Sequence, residues 1–87
     1  MPKFYLHMSE SAGFVEDTEG HDLVDVATAI KVAAEGLRDI LAGELRNGNP
    51  DTASFVEVEN EQHELVATVT FDEVVNIRSE APARRAR

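Results

Sequence analysis

Residues 25–46, DVATAIKVAAEGLRDILAGELR, are the most informative stretch of this chain, because their apolar positions keep the period of a helix for about five turns. Asp25 is a short acceptor of the type that caps a helix N-terminus, and the glycine and proline within residues 47–50 end the helix. At about 100° per residue, most apolar side chains fall on one stripe, with two alanines at its edges. The predicted stripe consists of Val26, Ile30, Ala33, Leu37, Ile40 and Leu41, and the edge positions are Ala29 and Ala34. The pattern predicts one long amphipathic helix.

Two strands are predicted before the helix. Residues 3–9 alternate with period two, which predicts a strand with one apolar face and one partly polar face. The apolar face carries Phe4, Leu6 and Met8, and the other face carries Tyr5 and His7. Residues 10–13 have turn chemistry, and residues 14–15 are enough for a short returning strand. The acidic residues 16–22 predict an exposed loop before the helix.

A second hairpin is predicted after the helix. Residues 54–59 place Val56 and Val58 on one face of a strand, and residues 60–63 form the turn. Residues 65–71 are a β-branched, alternating run that is typical of a central strand. The order strand, strand, helix, strand, strand follows.

This order predicts a two-layer α+β domain over residues 1–78, in which the single helix packs on one face of an antiparallel ββαββ sheet. Residues 72–77 fit either a helical turn or an extension of the last strand. Residues 79–87 contain no large apolar side chain, so we expect a disordered basic tail there.

The charge of the chain restricts its partners. The 87 residues carry a formal net charge of −9, and residues 1–77 alone hold four bases and sixteen acids. A surface of this sign does not suit nucleic acid, which needs an excess of lysine and arginine. The chain has no cysteine, which excludes disulfides and thiolate sites. No apolar run approaches the roughly 20 residues of a membrane span, and the first residues lack the apolar core of a signal peptide, so we expect a cytoplasmic protein.

The opening Met-Pro-Lys-Phe-Tyr-Leu-His resembles a family of short bacterial proteins catalogued only as a domain of unknown function, whose members begin Met-Pro-x-aromatic-aromatic-x-His. Three further pieces match the family pattern in order and spacing: Glu16-Asp17-x-Glu19-Gly20, Leu23-x-Asp25-x-x-x-Ala29 and Val66-x-Thr68-Val69-x-Phe71. The resemblance covers residues 1–71, supports the fold and implies no activity. Residues 60–63, Asn-Glu-Gln-His, depart from the pattern, where a glycine-containing acidic turn is expected.

A looser likeness concerns the architecture alone. A hairpin with an aromatic-rich strand, an acidic loop and an alanine-rich amphipathic helix is similar to the antitoxin halves of HicA/HicB-type toxin–antitoxin pairs. Those antitoxins are acidic domains that mask a small basic partner. A likeness of fold does not by itself imply this function.

The candidate partner-binding residues centre on the acidic loop: His7, Glu16, Asp17, Glu19, Gly20, His21 and Asp22. An alternative for His7 and this loop is metal binding or a minor metal-dependent activity, although the spacing matches no regular metal motif. A structural role for His7 is favoured, in which its imidazole is hydrogen-bonded to a neighbouring strand or to the acidic loop, with Asp17 as the natural partner.

Small residues on one flank of the helix define a second candidate surface: Ala29, Val32, Gly36 and Gly43. Such residues permit close approach of another backbone, and the edges of a four-stranded sheet also need protection, so we expect a homo-oligomer, with a dimer favoured. The arginine tail is an alternative contact for nucleic acid, but three arginines neutralise at most about three phosphates.

No nucleophile motif, phosphate-binding loop or assembled catalytic set is present in the sequence. The sequence therefore favours a non-catalytic protein-binding or regulatory module, antitoxin-like or adaptor, without a cofactor or resident metal. Its partner is expected to be a basic protein, and contacts with membranes and nucleic acids are not expected.

Overall fold

The computed structural model describes residues 1–76 of the chain. Its elements, in chain order, are β1 (Lys3–Glu10), β2 (Gly13–Val15), β3 (His21–Asp22), α1 (Val26–Arg46), β4 (Phe55–Glu59), β5 (Leu65–Thr70) and α2 (Phe71–Val74). The predicted α+β architecture, with one long helix packed on an antiparallel sheet, is confirmed. The predicted tail, residues 79–87, lies outside the described residues. No helix within residues 1–76 is both long enough and apolar enough to cross a membrane.

The sheet has the order β2-β1-β4-β5. The strands β2 and β3 both pair with the side of β1 that faces away from β4, and each lies at a different end of β1. All of its pairings are antiparallel. The strands β1 and β4 are therefore central, and β5 is an edge strand. The prediction of a central strand for residues 65–71 was wrong, because β-branched residues fit any half-buried pleated surface and do not specify position in the sheet.

The helix α1 begins and ends as the sequence predicts. The Asp25 Oδ1 accepts a hydrogen bond from the Thr28 backbone N–H at 2.8 Å, which caps the first turn. At the other end, Gly48 adopts a φ of +77° and its N–H donates to the Leu45 carbonyl. This left-handed conformation suits glycine and ends the helix.

The buried stripe of α1 differs from the predicted one. The residues of α1 in the core are Ala29, Ala33, Leu37 and Leu41, whereas Ile30 and Ile40 are each 38% exposed. The core is completed by Phe4 of β1, Val56 and Val58 of β4, Val69 of β5 and Val74 of α2. The small alanine side chains let the N-terminal half of the helix approach the sheet closely, so Ala29 lies at the centre of the stripe and not at its edge.

The two segments that the sequence left least defined also take specific forms. The acidic loop is not wholly exposed, because His21 and Asp22 form β3 and pair with Phe4 and Lys3. Near the end of the described residues, Phe71–Val74 is a helical turn, which decides between the two alternatives for residues 72–74. The Glu73 carboxylate accepts hydrogen bonds from the backbone N–H of Thr70 at 2.8 Å and from its hydroxyl at 3.2 Å, and so begins this turn.

Candidate functional site

The face of the sheet opposite α1 is the candidate site, and we call it the open face. Among residues 1–76, no helix or strand packs over it. The cross-strand registers place three rows of side chains on this face, which run across β2, β1, β4 and β5. The rows consist of Phe14, Ser9, Phe55 and Thr70; of His7, Glu57 and Thr68; and of Tyr5, Glu59 and Leu65.

His7 is buried at one end of the open face. It is only 5% exposed, and Asp17 donates its backbone N–H to the His7 Nδ1 at 3.0 Å. Because Nδ1 accepts this hydrogen bond, the ring proton lies on Nε2, which donates to the Glu59 Oε1 at 2.9 Å. Both ring nitrogens therefore have partners, and the imidazole joins the loop to β4. This arrangement matches the structural role that the sequence favoured for His7.

The Asp17 side chain closes the edge of β1 between β2 and β3. Its Oδ2 accepts from the Leu6 backbone N–H at 3.0 Å, and its Oδ1 accepts from the Gly20 backbone N–H at 2.9 Å. His21 adds an ion-pair contact, with its Nδ1 3.1 Å from Oδ2. Burial raises the pKa of Asp17, but these backbone hydrogen bonds and the charge of His21 outweigh it and hold the pKa below its ordinary value.

Gly20 has a backbone requirement of its own in this loop. Its φ is +77°, and a Cβ at this position would lie 2.7 Å from the Lys3 Cγ and 3.1 Å from a ring carbon of Tyr5. A side chain would therefore meet both an unfavourable backbone conformation and two neighbouring side chains. The predicted turn role of Gly20 agrees with this geometry.

The Glu59 carboxylate contacts two histidines on the open face. Its Oε1 accepts from His7 and lies 3.2 Å from the Nδ1 of His63. These two side-chain hydrogen bonds hold the pKa of Glu59 below its ordinary value. The His63 ring also stacks on Tyr5, with ring centroids 4.5 Å apart. The open face thus holds a fixed cluster of two imidazoles, one phenol ring and one carboxylate.

His63 takes part in this cluster from a strained backbone position. It has a φ of +63°, a left-handed conformation that is uncommon for residues other than glycine. This is the turn in which the sequence departs from the family pattern by lacking a glycine. From this conformation, the His63 ring contacts both Tyr5 and Glu59.

Apolar side chains flank this cluster on both sides. Phe14 is 55% exposed, and its ring lies 5.7 Å from that of His7, while Leu65 is 58% exposed next to Glu59. The only base on the strands of this face is Lys3 at its corner, 3.7 Å from Asp22. The open face therefore combines exposed apolar groups with carboxylates that have no lysine or arginine opposite them on the described strands.

The predicted partner-binding residues divide into two groups. His7 is buried and offers almost no contact surface, while Asp17 and Gly20 are half-buried parts of the edge closure. The burial of His7 corrects its assignment as a partner contact, and the assignments of Asp17 and Gly20 stay predictions. The remaining four residues, Glu16, Glu19, His21 and Asp22, are exposed.

Metal binding at His7 and the acidic loop finds no ligand set in the described part of the chain. Within residues 1–76, no group of three or more histidine and carboxylate side chains is arranged to hold a metal ion. The lone pair of the His7 Nδ1 and both carboxylate oxygens of Asp17 already accept hydrogen bonds. The metal alternative stays a hypothesis that the geometry does not favour.

The predicted self-association flank is also changed by the structure. Ala29 is fully buried in the core and cannot contribute to a contact between copies, which corrects that part of the prediction. Val32 and Gly43 are half-buried, and Gly36 is exposed. A Cβ on Gly36 or Gly43 would meet no atom within 4 Å, so this flank has space for a larger side chain.

Comparison with protein families gives one match: residues 3–72 fit the model of a domain of unknown function, DUF6894. The chain belongs to this family. The match covers β1 to β5 and the start of α2, and it confirms the resemblance drawn from the sequence motifs. A search of curated proteins and a search of solved structures each found no match. The comparisons give no link to HicB-type antitoxins.

In this DUF6894 domain, two of the family-like motifs meet in space. The His7 of the opening motif accepts the Asp17 backbone N–H, and the Asp17 side chain accepts the Gly20 backbone N–H. These contacts give both motifs a structural explanation, namely closure of one sheet edge. Sequence reasoning missed Glu59 and Phe14 as parts of the open face. The alternation of β4 already placed Glu59 away from the core, but only the sheet order brings it to His7.

Proposed function

We propose that this DUF6894 domain is a non-catalytic protein-binding module, and that its open face receives a basic segment of a partner protein that also carries apolar side chains. The observation that carries this proposal is the pairing of exposed Phe14 and Leu65 with the carboxylates of Glu57 and Glu59 on one uncovered face. Such a surface complements lysine or arginine side chains and apolar groups on the same segment.

The negative charge of the domain supports a partner of positive charge. Residues 1–76 hold four bases and sixteen acids, a net charge of −12. A charge of this size attracts a basic partner over a distance of about 8–10 Å at physiological salt and raises the rate of association. The acidic side chains at the edge of β1, such as Glu16 and Glu19, extend the same field beside the open face.

The experiment is a quantitative affinity purification from native cells with three baits. These are the wild-type protein, Glu57→Lys on the open face, and Glu35→Lys on the exposed side of α1 as a control of equal charge change. We expect the wild type and Glu35→Lys to recover the same basic protein in similar amounts. The amount recovered with Glu57→Lys should be at least tenfold lower. Circular dichroism confirms that each bait is folded.

A second step tests the contact with purified components. The captured protein should bind the wild-type domain directly in calorimetry, more weakly with Phe14→Ala, and more weakly as salt increases. If no captured protein distinguishes Glu57→Lys from Glu35→Lys, the open face is not the binding surface and the proposal fails.

The alternative contact with nucleic acid, through the arginine tail, depends on residues outside the described ones. Deletion of residues 79–87 should abolish any binding of DNA or RNA that arises from this tail. Binding that survives the deletion would contradict this alternative.

A further inference from the structure

We propose that two copies of this chain associate through the outer edge of β5, so that their sheets join into one continuous antiparallel sheet across a two-fold axis. Among residues 1–76, no strand pairs with this edge, because β5 pairs only with β4. An unpaired edge presents a row of backbone N–H and C=O groups that another strand can take up. This inference concerns the edge of the sheet and is independent of the proposed partner on the open face.

The two edges of the sheet differ in how they are protected. The outer side of β1 is covered in pieces by β2 and β3, and the Asp17 carboxylate accepts the Leu6 N–H between them. Short edge strands and inward-pointing charged side chains are the usual means of preventing edge pairing. The strand β5 is six residues long and carries no charged residue, and among its backbone N–H groups only that of Thr70, at its C-terminal end, is taken by a carboxylate, that of Glu73.

The sequence of β5 identifies a second copy as the occupant. Residues 65–71, LVATVTF, are the longest run of the chain without aspartate, glutamate, lysine or arginine. Two domains of net charge −12 repel each other, and a neutral segment is where two copies approach at the least electrostatic cost. A basic partner, in contrast, gains no charge complementarity from this strand.

Exposed apolar groups border this edge on both faces of the sheet. On the helix side, a groove of about 330 Å³ lies between α1 and β5, and its lining is apolar except for Thr68 and Glu73. The apolar lining residues are Ile30, Ala34, Ala67, Val69 and Val74. Ile30 is 38% exposed there, and Val66 is 37% exposed on the strand itself. A second β5 strand would cover the open side of this groove and bury apolar area on both faces.

The alternation of β5 restricts the register of such a pair. Directly opposed residues in an antiparallel pair share a face of the sheet, so the two-fold axis must pass beside a single residue. We place it at Thr68, which sets the two copies of Thr68 against each other on the open face. Ala67 of each copy then faces Val69 of the other on the helix side, where a small and a larger side chain fit together.

The size of this interface sets the expected affinity. A six-residue strand is about 20 Å long, and the pair with its flanking groove buries an area at the low end of specific interfaces, below about 1,200 Å². We therefore expect a reversible dimer with a dissociation constant on the order of micromolar. Light scattering coupled to size exclusion, and sedimentation equilibrium from about 1 to 500 µM, cover this range.

A charge exchange at Thr68 tests the interface in the full-length chain. Thr68→Lys places two like charges opposite each other and should weaken the dimer at least tenfold, and Thr68→Glu should do the same. An equimolar mixture of the two variants should form a heterodimer. Thr52→Lys, at an exposed loop position, is the matched control and should dimerise like the wild type.

A cysteine experiment gives a second, covalent readout. The chain has no cysteine, so Thr68→Cys can cross-link only to position 68 of another copy. We expect rapid oxidation to a covalent dimer, and much slower oxidation of Thr52→Cys. A wild-type protein that stays monomeric up to 500 µM overturns the proposal. A dimer that survives Thr68→Lys and leaves Thr68→Cys uncross-linked also overturns it.

Gly36→Ala separates this edge from the helix flank that the sequence predicted. An added methyl group at this position meets open space within the monomer. A dimer that forms through β5 should be unaffected by Gly36→Ala. A dimer in which two helices pack closely at Gly36 should be weakened by the added methyl group.

Discussion

His7, Asp17 and Glu59 form a connected unit that links three separate parts of the chain. The imidazole accepts from the Asp17 backbone and donates to Glu59, while the Asp17 carboxylate accepts from the backbone of β1. Each group satisfies a polar atom that would otherwise be buried without a partner, and burial of an unsatisfied group costs about 1–3 kcal/mol. The unit therefore stabilises the fold, and its Glu59 carboxylate also belongs to the open face.

Replacing Asp17 by alanine should destabilise the fold. The change removes the acceptor of both the Leu6 and the Gly20 backbone N–H groups, so we expect the free energy of unfolding to fall by about 1–3 kcal/mol in urea denaturation at pH 7. Asp22→Ala is the control, because this exposed carboxylate makes only a surface ion pair with Lys3, worth about 0.5 kcal/mol or less. Equal losses for the two variants would contradict this account of Asp17.

Two glutamates should respond to pH in opposite directions. Hydrogen bonds from His7 and His63 hold the pKa of Glu59 below its ordinary value of 4.5. For Glu10, burial, a hydrogen bond with Glu44 and the nearby charges of Glu44 and Asp51 raise the pKa. The ionised form of Glu59 is thus favoured by folding, and the ionised form of Glu10 is disfavoured.

Each glutamate contributes to the free energy of unfolding because its pKa differs between the folded and the unfolded state, and the direction of that difference sets how the contribution changes with pH. The contribution of Glu59 is fully present above pH 4.5 and is lost as the pH falls through its lowered pKa. The contribution of Glu10 is fully present below pH 4.5 and is lost as the pH rises through its raised pKa. We expect Glu59→Gln to lower, and Glu10→Gln to raise, the free energy of unfolding at pH 7. Both differences should shrink toward pH 3 in urea denaturation series, and parallel curves at all pH values would contradict the assignment.

At the scale of single elements, α1 determines the core by presenting alanines and leucines to the sheet. The buried stripe runs through Ala29, Ala33, Leu37 and Leu41, and the isoleucines lie at its borders. The exposed isoleucines then border other surfaces: Ile30 lines the groove beside β5, and Ile40 lines the opposite side of the helix near Met8.

Leu37 and Ile40 should differ strongly when each is replaced by alanine. Leu37 is fully buried, so its truncation should cost about 2–5 kcal/mol, a large part of the roughly 5–15 kcal/mol that stabilises a domain. Ile40 is already 38% exposed, and we expect about 1 kcal/mol for the same change. Thermal and urea unfolding measure both values, and equal costs would support the stripe predicted from the sequence instead.

At the scale of the whole molecule, the negative charge is the dominant feature. Residues 1–76 hold sixteen acids and four bases, and within these residues Asp22 is the one acid that forms an ion pair with a lysine or arginine. Repulsion among the others opposes the compact state, and dissolved salt reduces it.

The melting temperature should therefore rise with salt. We expect an increase of several degrees between about 20 mM and 500 mM NaCl, with KCl giving the same result at equal concentration. Calcium, magnesium, manganese and zinc chlorides at matched ionic strength provide the control for specific binding. An extra rise with one divalent cation would support the metal hypothesis, and a melting temperature that falls with salt would contradict self-repulsion.

Local signals predicted most of the elements because each rests on neighbouring residues. Asp25 capped the helix, Gly48 ended it, and the alternation of Val56 and Val58 identified β4. The candidate site was predicted less completely. His7 and Asp17 were paired by inference, but Glu59 and His63 lie more than fifty positions from His7, and no local pattern carries a contact across that separation.

The sequence alone predicts four of the five strands and the long helix in their order, the caps of that helix, the alternation of faces and the family of this chain. These features depend on backbone preferences and hydrophobic period, which act over a few residues. The three-dimensional arrangement of the strands and the helix is needed to see that β5 is an edge, that Ala29 is buried and that His7 contacts the acidic loop. Each of these depends on how closely distant segments approach, and that distance is fixed by packing of the whole domain, since interiors are filled to the density of a crystal.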